Sequence, residues 1–393
     1  MAGIDMKVLM VNREDAHRNL GGDTIQMLKT KAALEDLGVT IETCTVADLD
    51  HVQVPDLAHV FNIQTVEESW AAFKKLKARK IPIVLSSIYW DMLDHGFDLT
   101  TATRGRWAVC ARIWGKSTAR RLYCSWQRAK SPLLTSWRLQ RRMLQDALAV
   151  LPNSASEGKL LRQTFLLGDS FYRRVHVVPN GIDVSLFEPL PQPSALFQKQ
   201  YGIRDFVLQV GAVSPVKNQL GLLQALNDLP MPIVIIGQPT PHKPEYAEEC
   251  KALAEARGNV TFIDRLPHDE LPGIYRLASV HVLPSWRETP GLVSLEAAAS
   301  GCRVVTTSIG STRDYFCNLA EYCYPSDLSS IRAAVAKALA QPPSDKLRNH
   351  VLQNFTWQRA AEETLQAYLT VLNEPAKVPV NQGISLRPMN RES

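Results

Sequence analysis

The chain has 393 residues, enough for two or three domains at about 100–200 residues each. A composition 45% hydrophobic and 21% charged fits a globular protein and excludes a disordered one. No apolar run reaches the ~18 residues needed to cross a bilayer, which excludes a membrane-spanning protein. The opening MAGIDMKVLMVNRED turns acidic after its first apolar run, so no secretory signal is expected. The seven cysteines form no CxxC pair and read as reduced thiols in the cytosol, without structural zinc or a disulfide scaffold.

Taken in chain order, Met6–Val11 reads as a buried strand, and Thr24–Leu37 as a helix with Asp23 as its N-cap and Gly38 at its end. Strands are predicted at Val39–Val46, Ala58–Ile63, Ile81–Ser86, Ala147–Leu151 and Val175–Pro179, with helices at Glu67–Arg79 and after Asn153. Ile182–Arg204 carries Pro189, Pro191 and Pro193 without periodicity and reads as a linker. The pattern then restarts with strands Phe206–Val210, Pro232–Ile236, Val260–Ile263, Val280–Leu283 and Arg303–Thr306. Helices alternate with them around Gln219–Leu229, Glu245–Arg257, Asp269–Leu277 and Gly291–Ser300. Such alternation predicts an α/β protein of two doubly wound, Rossmann-like domains. The expected division is 1–181, a linker at 182–204, a second domain at 205–355, a helix at 356–372 packing back on the first domain, and a disordered tail at 373–393. In such sheets, ligands bind beyond the carboxyl ends of the strands, so a phosphate-bearing ligand is expected in the cleft between the domains.

Charge is unevenly spread. Leu99–Gln145 contains no acidic residue and eleven basic ones, leaving the rest of the chain at −6 against a net +5. Trp107, Trp114, Trp126 and Trp137 are interleaved among them. Arginines with tryptophans at helical spacing suit an anionic membrane surface, with Arg106, Trp107, Trp114, Arg120 and Arg121 as the candidate contacts. A solvated helical insertion with core tryptophans is the bland alternative. Nucleic-acid binding lacks any accompanying fold motif and is not expected.

Two segments carry the chemistry. Gly21-Gly22, just before a helix, suits close backbone approach to a phosphate, although a simple turn explains it too. The absence of G-x-G-x-x-G disfavours a nicotinamide or flavin site. In the second half, Glu288 follows a strand at a loop, Thr289-Pro290-Gly291 opens a helix with free amides, and Glu296 lies eight residues further on.

This segment, ETPGLVSLE, resembles the E-x7-E signature of the large retaining glycosyltransferase family four, with the GT-B fold. PNGID at Pro179–Asp183, VLQVGAVSPVKNQLGLLQAL at Val207–Leu226, NVTFIDRLPHDELPGIYRLASV at Asn259–Val280 and the amino-terminal GGDTIQMLKTKAALEDLGV extend the resemblance over residues 6–372. The resemblance implies that Glu288 positions the donor sugar and Glu296 holds the ribose hydroxyls. The amides of Gly291, Leu292 and Val293 would meet the diphosphate, Lys217 would neutralise it as it leaves, and Gly21 and Gly22 would approach it from the other domain. The 263–265 loop would frame the base.

The chain departs from the family in having Gly211-Ala212 where an arginine is usual, so neutralisation rests on Lys217, Arg265 or Arg287. Asp264 stands where glycine is common, and Ser86–Asp91 keeps only the acid of a His-Asp pair. Asp91 is therefore an acceptor-side candidate or a helix cap. Asp48-Leu49-Asp50 is literally D-x-D but sits in the wrong architecture for a metal, and no histidine pair has metal-ligand spacing. His17, in the glycine loop, reads as a cleft-facing or a solvated residue. The resulting expectation is a metal-independent, cofactor-free transferase using a nucleotide diphosphate sugar. Its acceptor would be a lipid-linked or cell-surface glycan, met in the cytoplasm or at the inner face of the membrane. A non-catalytic GT-B module that binds a sugar nucleotide or a partner protein is the alternative.

Overall fold

The computed structural model describes residues 6–16, 21–102, 105–241 and 243–373. The first domain runs β1 (Lys7–Val11), α1 (Gly22–Asp36), β2 (Thr40–Cys44), β3 (Leu57–Phe61), α2 (Val66–Ala78) and β4 (Ile83–Ser86). It continues through α3 (Leu93–Ala102), α4 (Arg106–Trp114), α5 (Lys116–Lys130), α6 (Thr135–Asp146), β5 (Ala149–Val150) and α7 (Ala155–Thr164). Its five strands pair in parallel in the order β2-β1-β3-β4-β5. A parallel sheet covered on both faces needs apolar residues at successive positions rather than alternate ones. Accordingly Val8, Leu9, Met10 and Val11 are all buried, with Leu9 and Val11 facing one core and Val8 and Met10 the other.

The second domain comprises α8 (Ala195–Tyr201), β6 (Phe206–Val210), α9 (Gln219–Ala225), β7 (Ile233–Ile236), α10 (Pro244–Arg257), β8 (Val260–Ile263), α11 (Leu271–Tyr275) and β9 (Ala278–Leu283). It ends with α12 (Leu292–Ala299), β10 (Arg303–Thr307), α13 (Thr312–Phe316), β11 (Glu321–Cys323), α14 (Leu328–Ala340), α15 (Lys346–Asn354) and α16 (Trp357–Asn373). The six strands are parallel, in the order β11-β10-β9-β6-β7-β8. Both sheets therefore direct their carboxyl ends, and the helix N-termini that follow them, toward a common region.

Several expectations are corrected. Val175–Pro179 is not a regular strand but an isolated parallel bridge, Val175 to Val150; the His176 and Val178 N–H groups donate to the Val150 and Pro152 carbonyls at 3.0 and 2.9 Å, alongside a β5 that itself ends at Val150. The proline-rich segment is not featureless: Ser194 Oγ accepts from the Phe197 N–H at 3.0 Å and starts α8, which packs Phe197 on Phe206. Asp23 does not cap α1. Gly21 occupies that position, and Asp23 instead takes bonds from Arg13 and Asn62. The elements from α13 to α15 had no reading. Residues 374–393, where disorder is predicted, lie outside the described residues, as do His17 and Arg104.

The domain junction is polar and specific. The Tyr315 hydroxyl donates to the Asn153 carbonyl at 2.7 Å and accepts from the Asn180 N–H at 3.0 Å. Asn153 in turn exchanges amide bonds with Gln26 of α1, at 2.9 and 3.1 Å. Helix α16 returns to the first domain, where Tyr368 meets His59 Nδ1 at 2.7 Å and His59 Nε2 meets Ser86 Oγ at 2.9 Å. Burial pushes His59 down to about 3, so it stays neutral in this contact. Gly181 is required at the crossing, because a Cβ there would sit 2.1 Å from the Thr356 carbonyl carbon.

Glu157, wholly buried on α7, gathers the loop ends beside this junction. Its carboxyl accepts from Ser87 Oγ at 2.5 Å, the Tyr89 N–H at 2.7 Å and the Asn153 N–H at 2.8 Å. Desolvation outweighs these donors and raises its pKa to about 7. The folded state thus holds the proton more tightly than the unfolded state. The stabilisation is full below about 4.5 and is lost as pH rises through about 7. Glu157→Gln sets an amide NH2 against a backbone donor and is expected to cost about 1–3 kcal/mol. In thermal melts across this range, the wild type's advantage over the variant should shrink with rising pH; a constant difference would refute the titration.

Candidate active site

A cavity of about 820 Å³ opens between the two domains. Residues from the first domain that line it include Arg13, Gly21, Gly22, Asp23, Asn62, Gln64 and Glu68. The second domain contributes Gly211, Ala212, Lys217 and the run Arg287–Val293.

The second-domain wall is built from three loops at the ends of β6, β9 and β10. Lys217 closes a tight turn after β6. Asn218, at φ 58°, follows and ties the turn down by donating to the Pro284 and Pro325 carbonyls at 3.1 and 2.9 Å. Trp286 N–H donates to the Val216 carbonyl at 2.8 Å and joins this loop to the next. The Glu288 peptide is bridged to the third loop: its N–H donates to the Ile309 carbonyl at 3.2 Å and its carbonyl accepts from Ser311 N–H at 3.0 Å. The Glu288 carboxylate, buried to 8% exposure, meets Lys217 Nζ at 2.5 Å.

Gly291, at φ 70°, turns the chain into α12. The first intrahelical bonds there come from Ser294 and Leu295, both to the Gly291 carbonyl, so the amides of residues 291–293 lie at the cavity end of the helix. The helix is anchored from beneath by His281 of β9, whose Nε2 lies 3.1 Å from Ser294 Oγ. Burial, and secondarily the charge of Lys217, push His281 down to about 3 and keep it neutral.

Arg287 crosses the cavity: Nη1 donates to Gln64 Oε1 at 2.9 Å and to the Trp90 carbonyl at 3.0 Å. Burial lowers its pKa, although the neighbouring Glu288 opposes this. On the first-domain wall, Arg13 bonds Asp23 through Nε at 3.0 Å and also pairs with Asp15. Asn62 donates to Asp23 at 3.0 Å. A side chain at Gly21 would fall 2.6 Å from Asp23 and 3.0 Å from Arg13, whereas Gly22 opens onto free space. A small residue at 21 is thus demanded by this ion pair, and the bare Gly22 backbone faces the cavity.

Of the residues singled out in the sequence, Gly21, Gly22, Lys217, Glu288, Thr289, Pro290, Gly291, Leu292 and Val293 come together around this cavity. Glu296 and Arg265 are not among its lining residues. Glu296 is half-buried on α12, where burial and then its charge raise the Tyr275 hydroxyl pKa, and Arg265 is exposed. Asp91 is taken up structurally, accepting from Leu93 N–H at 3.4 Å and pairing with Arg128 at 3.4 Å. Asp48 accepts from Thr45 Oγ1, and Asp50 pairs with Lys75 at 2.6 Å. Arg13 and Asn62 had no sequence reading, and Asp23 was read only as a helix cap; the position of Arg13 and Asn62 just past the ends of β1 and β3 was the available signal.

The basic segment is two-faced. Arg120 turns inward onto Asp94 and Asp98, at 3.3 and 3.1 Å, and over the ring of Tyr324 in the second domain. Trp107 packs edge-on against Tyr123. Arg106, Arg121 and Trp114 are exposed, together with the apolar Val109, Ile113, Leu122, Leu133 and Leu134. Among the described residues, no helix is long and apolar enough to cross a membrane.

Residues 196–355 match the family model described as glycosyl transferases group 1. The D-inositol 3-phosphate glycosyltransferase of Nocardia farcinica is 24% identical over 393 residues, spanning 90% of this chain and 86% of that protein. Sucrose-phosphate synthase from Thermosynechococcus elongatus superposes with a TM-score of 0.72 at 18% identity, covering 93% of this chain and 99% of that one. Anabaena HepE in complex with UDP-glucose gives 0.68 at 15% identity over 93% and 100% of the two chains. At such identities the two structures establish a shared fold.

Gly310, at φ 115°, is what lets the Glu288 peptide close on the third loop, since a Cβ there would sit 1.8 Å from the Glu288 carbonyl oxygen. Gly310→Ala is expected to force the two loops apart, at a cost of about 1–3 kcal/mol. The check is a thermal melt with a crystal structure of the variant; an unmoved Glu288 would contradict this account.

Proposed function

Given that the second domain belongs to the group 1 glycosyl transferases and the whole chain has the GT-B fold, we propose that the protein moves a sugar from a nucleotide diphosphate sugar to a hydroxyl acceptor, with retention of configuration. The observation that carries this reading is the meeting of Lys217, Glu288 and the amide end of α12 on one wall of the cavity, opposite Gly22. Free amides and a lysine suit a diphosphate. A carboxylate beside them suits the sugar hydroxyls, which can donate to it.

The arrangement supports a division of labour. Lys217, released from Glu288 when the donor enters, stabilises negative charge growing on the leaving diphosphate, where low dielectric makes such stabilisation large. Arg287 lines the cavity close by and supplies the second cation in the absence of arginine at Ala212. Its bonds to Gln64 and Trp90 tie that cation to the first domain. Glu288 is read as holding the sugar through its hydroxyls and not as a nucleophile, so the reaction is read as front-face attack assisted by the leaving phosphate. Glu296 and the loop around Arg265 are read as nucleotide contacts beyond the cavity rim, and Asp91 as a helix cap. The reaction is read as needing neither metal nor cofactor.

The acceptor is read as a glycan, lipid-linked or at the cell surface, met at an anionic membrane. Exposed Trp114, Ile113, Leu133 and Leu134 beside Arg106, Arg112 and Arg121 support that reading. Binding to phosphatidylglycerol vesicles, weakened by salt and lost in Trp114→Ala/Arg121→Glu, is the expected result of co-sedimentation. Equal binding to neutral vesicles, or none, would overturn it.

The donor reading is tested by a thermal-shift screen against UDP, GDP, ADP, CMP and dTDP sugars. A ligand bound to the folded state alone raises the melting temperature by mass action. One nucleotide should stand out, and Lys217→Ala should lose most of that shift. Glu288→Gln should keep the nucleotide shift while turnover drops about 100-fold or more. Turnover unaffected by Glu288→Gln would point instead to a binding module without this chemistry.

A further inference from the structure

Gln209, next to last in β6, is wholly buried in a strand whose neighbours Val207, Leu208 and Val210 are apolar. Val207, on the same face of the strand, belongs to a cluster with Leu222 of α9 and Val335 of α14. The Gln209 Nε2 donates to the Lys217 carbonyl at 2.8 Å, and among the described residues its Oε1 has no partner. Burying an amide with an unpaired oxygen is costly, and the bond to Lys217 is what an apolar residue of the same size could not supply. That bond fixes the peptide plane between Lys217 and Asn218. The plane sets both the left-handed Asn218, at φ 58°, and the direction in which the Lys217 side chain leaves the turn. With its carbonyl drawn down onto β6, the lysine runs over Gly211 to Glu288; a Cβ at Gly211 would lie 3.6 Å from Lys217 Cε. A second buried glutamine, Gln219, holds the other arm of the loop. It donates to the Ala212 carbonyl at 3.0 Å and accepts from the Ser214 N–H at 3.2 Å.

We infer that Gln209 is a positioning residue for Lys217, holding the lysine backbone so that the ammonium meets the leaving diphosphate in one place. The inference rests on the donor reading above, which gives Lys217 that charge to meet. Without the Gln209 donor, the 217–218 peptide is free to rotate, since rotation lets Asn218 relax from its positive φ. The rotation turns the Lys217 side chain off its track over Gly211. Electrostatic stabilisation of a leaving group depends on a fixed distance, and a displacement of about 1 Å can slow turnover about 100-fold. Gln209 touches neither substrate nor cavity, so it acts only through the lysine.

The test is a double-mutant cycle on the full chain. Gln209→Met keeps the length and volume of the side chain without its donor, and Gln209→Asn, the second variant, keeps an amide that falls one carbon short. Turnover is read as release of nucleotide diphosphate from the sugar donor found in the screen, to water and to added glucose or maltose. Each variant should lose about tenfold or more in kcat/KM. In a Lys217→Ala background the same changes should cost less than about twofold, because the group that Gln209 places is gone. A merely structural loss lowers the active fraction by the same factor in both backgrounds. Equal factors, full turnover in both single variants, or failure of both to fold would overturn the inference. Lys217→Ala that keeps both turnover and the nucleotide thermal shift, or a wild type that releases no nucleotide, would instead remove the donor reading, and the two failures are read separately.

Discussion

The Glu288 peptide is held on both sides by backbone bonds to the 309–311 loop, while its side chain is held by Lys217. These contacts connect the ends of β6, β9 and β10 through one residue. They work because Gly310 lacks a side chain where the Glu288 carbonyl arrives, and because Gly291 accepts the positive φ that starts α12. Loosening the bridge would separate the carboxylate, the ammonium and the helix amides, which otherwise share one low-dielectric wall. The charged pair in turn tolerates burial because each member offsets the other's desolvation.

That wall becomes a cavity only through the first domain. Two parallel sheets pointing their carboxyl ends at each other leave a gap, and the gap's width is set by contacts away from its centre. Tyr315 spans it with two hydrogen bonds, Ser156 of α7 bonds Asp314 at 2.7 and 2.8 Å, and α16 buries Trp357, Leu365 and Tyr368 against the first sheet. Arg287 differs from these. It bonds the first domain from within the cavity itself, so whatever engages its guanidinium bears directly on how the two walls sit.

Much of this was legible in the sequence. The strands could be read because a parallel sheet buried on both faces gives unbroken apolar runs. ETPGLVSLE could be read because its acids, turn residues and helix start are local in the chain. What was hidden is non-local. Asp23 looks like an N-cap to a reader of neighbours, but its partner Arg13 lies ten residues away across a loop. Asp91 and Glu296 are acids whose surroundings, Arg128 and Tyr275, come from distant helices. The proline-rich segment concealed α8 because seven helical residues are too few for a periodicity to stand out against three prolines.

The basic segment shows why a charge count is not a surface. Between Leu99 and Gln145 the sequence is purely basic, yet the acids just before it fold back onto it: Asp91 takes Arg128, Asp94 takes Arg120, and Asp98 takes both Arg120 and Lys116. The inner arginine is thereby spent on holding α3 and α5 together and on stacking over Tyr324. His95 of α3 also packs on Trp286, with ring centroids 4.6 Å apart and only two residues before Glu288. The outer face of α4 and α5, with Arg106, Arg121 and Trp114, keeps its charge and its apolar residues in solvent. One helical insertion therefore has an inner side that grips the rim of the cleft and an outer side that faces away from it. Because the two sides share short, mutually packed helices, the outer face is joined through α3 and the His95–Trp286 contact to the loop that carries Arg287 and Glu288.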